Sequence, residues 1–226
     1  MSDDVWAAAV TVSHAVDPTA SDAADDIAWT PQELERAERL RRPEDRRSYL
    51  AAHRLVRTVA ARALVVPASR LIYRQRCDRC GGTDHGRPWL QHEDRRVPVS
   101  VSHSRNAVAC AVGARSTIDV EEISGFEHEV AGILSTSEES RAAGSKHPAQ
   151  VRARLWTLKE CLVKQGWTTL DELEGIDVMD AVDKGVFDAG SEPMRVVPLP
   201  VVGGDGAQVV TLLAPAAAKI LIEEGV

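Results

Sequence analysis

The chain has 226 residues, 44% hydrophobic and 27% charged, with a formal net charge of −7. That is enough for one large domain or two small ones sharing a core, and nothing in it is collagenous, repetitive or broadly disordered. The negative balance argues against nucleic-acid or membrane binding by the whole surface, no apolar run approaches the roughly 20 residues of a membrane helix, and four cysteines are too few for a disulfide scaffold. The acidic start (Asp3, Asp4) lacks the basic region of a signal peptide, so a cytoplasmic protein with reduced thiols is expected. Arginine is dense from Arg36 to Arg96, whereas Asp119 to Glu139 and the tail beyond Asp171 are acid-rich. The basic half either holds a phosphate-rich small ligand or is plain uneven surface charge.

In chain order, Val5 to Val12 reads as a strand and Asp17 to Asp26 as a loop. Thr30-Pro31-Gln32-Glu33 is a capping box that opens a helix, which Pro43 is expected to end. A longer helix follows from about Glu44 to Leu64, burying Leu50, Leu55, Val56, Val59 and Ala60. On it, Arg57 borders the buried face, as amphipathic cover or as a ligand group. Cys77-Asp78-Arg79-Cys80-Gly81-Gly82, followed by His85 and His92, looks like half of a zinc site. The second Cys-x-x-Cys or spaced His pair is missing, so a tight surface loop with free thiols is the favoured reading. Gly86-Arg87-Pro88-Trp89-Leu90 is a turn that leaves Arg87 on an exposed bend. Val97 to Ser104 alternates as a strand and ends in Ser102-His103-Ser104, hydroxyls and an imidazole that could donate to an anion. Ala107 to Val112 is a further buried strand.

Thr117-Ile118-Asp119-Val120-Glu121 places Asp119 and Glu121 on one strand face, because side chains alternate. Two such carboxylates repel unless a cation or proton lies between them, and Mg2+ suits such a site; a wet acidic edge is the plainer alternative. Ser135-Thr136-Ser137-Glu138 is a second capping box. Near Ala149 begins a helix whose apolar arc is Leu155, Leu158, Cys161 and Leu162, widened by Trp156 and Val163. Glu160 and Lys164 share one flank, one turn apart, as a surface ion pair or as site residues. Lys159 falls inside the apolar arc and must snorkel out or neutralise a negative partner. Beyond Gly166, strands are expected at Ile176 to Met179, Val186-Phe187, Met194 to Val197 and Gln208 to Leu213. The tail from Ala216 to Ile222 tilts to helix after Pro215.

Together these features suit a Mg2+-dependent enzyme acting on a diphosphate. Their joint pattern closely resembles the 4′-phosphopantetheinyl transferases of the large, surfactin-synthetase-activating (Sfp-like) class. The residues that carry the resemblance are Thr117-Ile118-Asp119-Val120-Glu121, for a glycine-x-aspartate-x-glutamate strand, and Trp156-Thr157-Leu158-Lys159-Glu160 with Lys164, for the family's Lys-Glu helix. Ser102-His103-Ser104, Gly86-Arg87-Pro88 and Ala52-His53-Arg54-Leu55-Val56-Arg57 match upstream elements in the right order. Thr117 stands where the family has glycine.

The resemblance implies an α/β (α+β) fold of two similar halves related by a pseudo-twofold, 1–113 on the coenzyme A adenine side and 114–226 with the catalytic motifs. It implies transfer of 4′-phosphopantetheine from coenzyme A to a serine of an apo acyl or peptidyl carrier protein, giving adenosine 3′,5′-bisphosphate, in polyketide, peptide-synthetase or related pathways. Asp119, Glu121 and Glu160 would hold Mg2+ or Mn2+, and Glu160 would act as base. Lys164 and His103 would neutralise the diphosphate, and Ser102 would add a hydrogen bond. Arg57, Arg87 and Arg41 would meet the 3′-phosphate end. Lys159 is expected in the cleft between the halves, near the pantetheine arm or the carboxylates. Gly125-Phe126 and Ile133-Leu134 are candidate carrier contacts, and a monomer with no nucleic-acid or membrane partner is expected. Two rivals are a coenzyme A-binding relative that has lost catalysis, and a zinc-binding module built on Cys77, Cys80, His85 and His92.

Overall fold

Val5–Thr11 (β1) and Ala107–Val112 (β5) are almost wholly apolar, and the strand period of two sorts their side chains between two cores, Ala8, Val10, Val108 and Cys110 on one side and Val5, Ala7, Ala109 and Ala111 on the other. The computed structural model describes residues 4–15, 27–190 and 192–224; the expected loop at Asp17 to Asp26 lies outside them. After β1 come a short helix α1 (Val12–Ala15), then α2 (Pro31–Arg39) and α3 (Pro43–Leu64). Strands β2 (Ile72–Arg76), β3 (Arg87–His92) and β4 (Arg95–Ser104) lead into β5. Next come β6 (Thr117–Glu122), α4 (Thr136–Ala143), α5 (Pro148–Gln165) and α6 (Met179–Lys184). The chain closes with β7 (Val186–Asp188), β8 (Pro193–Pro198), β9 (Gln208–Pro215) and β10 (Ile220–Ile222).

The strands form two sheets, ordered β10-β1-β5-β4-β3-β2 and β6-β9-β8-β7. One face of the first sheet, with Val10, Leu90, Val108 and Cys110, packs on Leu55, Val56 and Val59 of α3. Its other face is mostly alanine (Ala7, Ala9, Ala109, Ala111) and meets Ile118, Val120 and Leu212 of the second sheet. Small side chains there let the sheets approach closely. Leu155, Leu158 and Leu162 of α5 cover the far face of the second sheet against Met194 and Leu213. Burying three leucines contributes on the order of 5–9 kcal/mol before chain entropy is charged. The result is a mixed α and β fold with helix, sheet, sheet and helix in layers, and no helix among the described residues is long and apolar enough to cross a membrane.

Both sheets are built in the same order: a strand, three helices, then an antiparallel meander whose last strand pairs with the first, with β10 added at the edge of the first sheet. A second device recurs with them. In α2 the capping-box glutamate Glu33 is buried, and in α4 so is Glu138. Each caps its own helix and also binds a cation of the following long helix. Glu33 Oε2 accepts from Arg57 Nη2 of α3 at 2.7 Å, and Glu138 Oε2 from Lys159 Nζ of α5 at 2.6 Å.

Three expected elements differ. Pro43 does not end α2, which stops at Arg39, but opens α3, where its missing N–H costs nothing. Ile176 to Met179 is not a strand: the Val178 N–H donates to Glu138 Oε1 at 2.8 Å and the chain enters α6. The tail makes a turn after Pro215 and then β10, which pairs parallel to the edge of β1 rather than forming a helix. Strand β2 carried too little apolar alternation to be seen; only Tyr73 in it is buried.

Candidate active site

Where the sheets meet, β4 meets β6 through its serines. Ser100, Ser102 and Ser104 point the same way at a period of two. Their hydroxyl oxygens accept from the Ile118, Val120 and Glu122 amides at 3.1, 3.4 and 3.3 Å. Ser102 Oγ then donates to Asp119 Oδ1 at 2.6 Å, and Ser104 Oγ to Glu121 Oε2 at 2.9 Å. The hydroxyls read as an anion-binding element therefore orient two carboxylates of this chain. Their alternation on β4 was visible in sequence; their partner strand was not.

Asp119 is 4% exposed. Its Oδ1 also accepts from Lys164 Nζ at 2.6 Å, while its Oδ2 is buried without a hydrogen-bond partner among the described residues. A carboxylate oxygen deprived of both water and donor is costly, and it fits a place meant for a cation. Lys164 also donates to the Ile118 carbonyl at 2.9 Å. Burial pulls the Lys164 pKa down, but Asp119 opposite, with Cys161 and Glu160, prevails and raises it. Glu121 Oε1 takes the Trp156 indole N–H at 3.2 Å, a role the sequence did not suggest for that tryptophan.

Glu160 sits on α5 one turn before Lys164. Burial raises its pKa, and the charges of Asp119 and Glu121 add to this against Lys164. Burial also raises Glu121, again helped by Asp119. The mutual effect shows three carboxylates, from β6 and α5, sharing one electrostatic site. Thr117 causes no break in β6, which pairs with β9 from Thr117 to Glu122, and its hydroxyl donates to the Cys161 carbonyl at 3.1 Å. A β-branched residue is thus accommodated where the resemblance expected glycine.

His103 is open to solvent at the end of β4. Loss of part of its hydration lowers its pKa, with the charges of His53 and Lys164 adding to the effect, which favours the neutral imidazole. It offers an N–H there rather than a positive charge. Arg87, exposed at the start of β3, donates through Nη2 to the Gln165 carbonyl at 3.0 Å, next to Lys164. A cavity of about 700 Å³ opens on this side, lined by Arg79, Arg87, Arg115, Ser100, Thr117 and Lys164 among others. Arg41 lies exposed at the corner between α2 and α3.

Arg57 and Lys159 require correction. Arg57 is wholly buried: its guanidinium donates to Glu33, to the Leu71 and His53 carbonyls, and more distantly to Ala28. His53 Nδ1 lies 2.7 Å from Glu33 Oε1 and, facing a carboxylate, carries the proton. Lys159 is equally buried, donating to Glu138 and to the Ile133 and Leu173 carbonyls at 2.6, 2.8 and 2.8 Å. It does neutralise a partner, but that partner belongs to α4 and not to the Asp119 cluster. Both cations satisfy buried glutamates, which neither arginine spacing nor helical periodicity could reveal. The expected carrier contacts Phe126 and Leu134 are core residues as well.

Among known proteins, the chain is similar to a 4′-phosphopantetheinyl transferase of Bacillus subtilis. The two are 25% identical over 142 residues, which cover 61% of this chain and 60% of that relative. No family model matches the chain.

Proposed function

We propose that this protein transfers 4′-phosphopantetheine from coenzyme A to a serine of an acyl or peptidyl carrier protein. The observation that carries the reading is the unpartnered buried Oδ2 of Asp119, set among Glu121, Glu160 and Lys164. The similarity to the Bacillus subtilis transferase and the shared element order of the two sheets support it.

Asp119, Glu121 and Glu160 would hold Mg2+ or Mn2+, whose charge would stabilise the diphosphate as its bond breaks. Glu160 takes the proton of the attacking serine hydroxyl. Its pKa, raised by burial and by the charges of Asp119 and Glu121, makes it a stronger base than an ordinary carboxylate. Lys164 uses two of its three N–H donors on Asp119 and Ile118, and the third remains for a phosphate oxygen. His103 supplies a neutral N–H to the same group. Arg87 and the other arginines of the neighbouring cavity give planar donors suited to the remaining phosphate. Arg41 is kept as a peripheral contributor; Arg57 is not.

The test is incubation with coenzyme A, Mg2+ and apo carrier proteins, read by intact-mass spectrometry. We expect the phosphopantetheine adduct on the carrier, lost in Glu160→Gln while coenzyme A binding remains measurable. Absence of adduct with several carrier types overturns the transferase reading, and near-normal turnover in Glu160→Gln overturns the base.

A further inference from the structure

The β2–β3 connection folds into a feature that the chemistry above does not use. The Cys77 amide donates to the Gly82 carbonyl and the Gly81 amide to the Cys77 carbonyl, both at 2.8 Å, which makes a tight knuckle. The Arg79 and Cys80 amides are turned on the Cys77 sulfur, and the Gly82 amide on Cys80 Sγ at 3.4 Å. Backbone N–H groups aimed at both sulfurs are the arrangement found around metal-bound thiolates. His85 Nε2 lies 3.3 Å from Cys80 Sγ, and donor atoms of Cys77, Cys80 and His85 all lie within 4.8 Å of one another. The other ring nitrogen of His85, Nδ1, is 2.8 Å from Asp84 Oδ1. That carboxylate fixes the tautomer with Nε2 free to bind, the usual support of a metal-bound histidine.

Gly82 keeps the space open. A Cβ there would stand 3.0 Å from His85 Cε1 and 3.2 Å from Cys80 Sγ, filling the gap between the donors. His92 is not part of the cluster, because β3 carries it to the far end of the hairpin opposite Arg95.

We propose that Cys77, Cys80 and His85, oriented by Asp84, bind a Zn2+-class ion with a fourth position open to water. Two soft thiolates and an imidazole suit zinc, whereas the oxygen cluster of Asp119 suits harder ions. The ion staples residues 77–86 across the mouth of the 700 Å³ cavity, whose lining includes Cys77, Arg79 and Arg87. Arg87 follows Gly86, whose φ of +100° and contact with the Arg76 backbone close the base of the loop. The site therefore sets the position of two cavity arginines without touching the carboxylates.

Full-length reduced protein, stripped of metal, is titrated with Co2+ and then Zn2+. We expect one equivalent of Co2+ with thiolate-to-cobalt absorption, displaced by Zn2+. The absorption should vanish in Cys80→Ser and His85→Ala, both exposed positions that leave the core intact, and persist in His92→Ala. Asp84→Asn should weaken affinity about 10–100-fold. Loading should also slow amide exchange across 77–86, and unchanged exchange would refute the staple. No thiolate absorption, its survival in Cys80→Ser, or recovery of a Cys77–Cys80 disulfide from reduced preparations would overturn the site. None of these readouts depends on transferase activity.

Discussion

Glu33→Gln tests the structural assignment of Arg57. Glu33 is 3% exposed and holds Arg57 on one oxygen and His53 on the other. Burial alone would raise its pKa, but the hydrogen bonds from His53 and Arg57 overcome this and bring it down to about 2. Relative to the ordinary value of 4.5, that shift corresponds to about 3 kcal/mol of stability. Because the folded pKa is depressed, the contribution is present above the unfolded value and disappears as pH falls from about 5 towards 2. At pH 7 the Gln variant leaves the Arg57 guanidinium buried without a counter-charge, which costs about 3–5 kcal/mol. Urea unfolding followed by far-UV circular dichroism at pH 7, 5 and 3 should show that loss, with a shallower acid limb than wild type. The double variant Glu33→Gln, Arg57→Met should be less destabilised than the sum of the singles, since it removes the charge with its partner. A Gln variant within about 1 kcal/mol of wild type at pH 7 and with the wild-type acid limb would refute the reasoning. Arg57 would then have to be sought among ligand groups again.

Lys159→Met should destabilise by about 3–5 kcal/mol by stranding Glu138, and at temperatures where it stays folded its turnover should approach wild type; a catalytic loss at full stability would return Lys159 to the site. Lys164→Ala should cost about 2–4 kcal/mol in transition-state stabilisation, seen as a fall in kcat/KM for carrier modification, and an unchanged value would remove Lys164 from the mechanism. Gly86→Ala should displace the β2–β3 loop, because a Cβ would lie 2.3 Å from the Arg76 carbonyl; a wild-type amide-exchange pattern in this variant would contradict that.

The candidate site was largely legible because its chemistry is local. Asp119 and Glu121 alternate on one strand, and Glu160 and Lys164 are one helical turn apart, so spacing alone places each pair on a face. The error with Arg57 and Lys159 has one cause. A cation on the buried side of a helix needs an anion, and the sequence shows the need but not which of many carboxylates meets it. Both partners came from capping boxes, Glu33 and Glu138, whose local role was already sufficient to explain them. The missed strand β2 and the misplaced strand at Ile176 to Met179 are similar. Polar Arg74 and Arg76 are tolerated at a sheet edge, and apolar Val178 is satisfied by a glutamate instead of a ladder.

By itself the sequence determined two capping boxes, the long helices, the apolar strands β1 and β5, and the carboxylate pattern. These follow from the periods of 2 and 3.6 and from hydrogen bonds spanning three or four residues. Tertiary structure alone decided that the serines of β4 bridge to β6, that Asp119 keeps one oxygen without a partner, and that Cys77, Cys80 and His85 converge. Those outcomes depend on how two sheets stack and how one loop turns back. Contacts across dozens of residues leave no periodic trace in the chain that makes them.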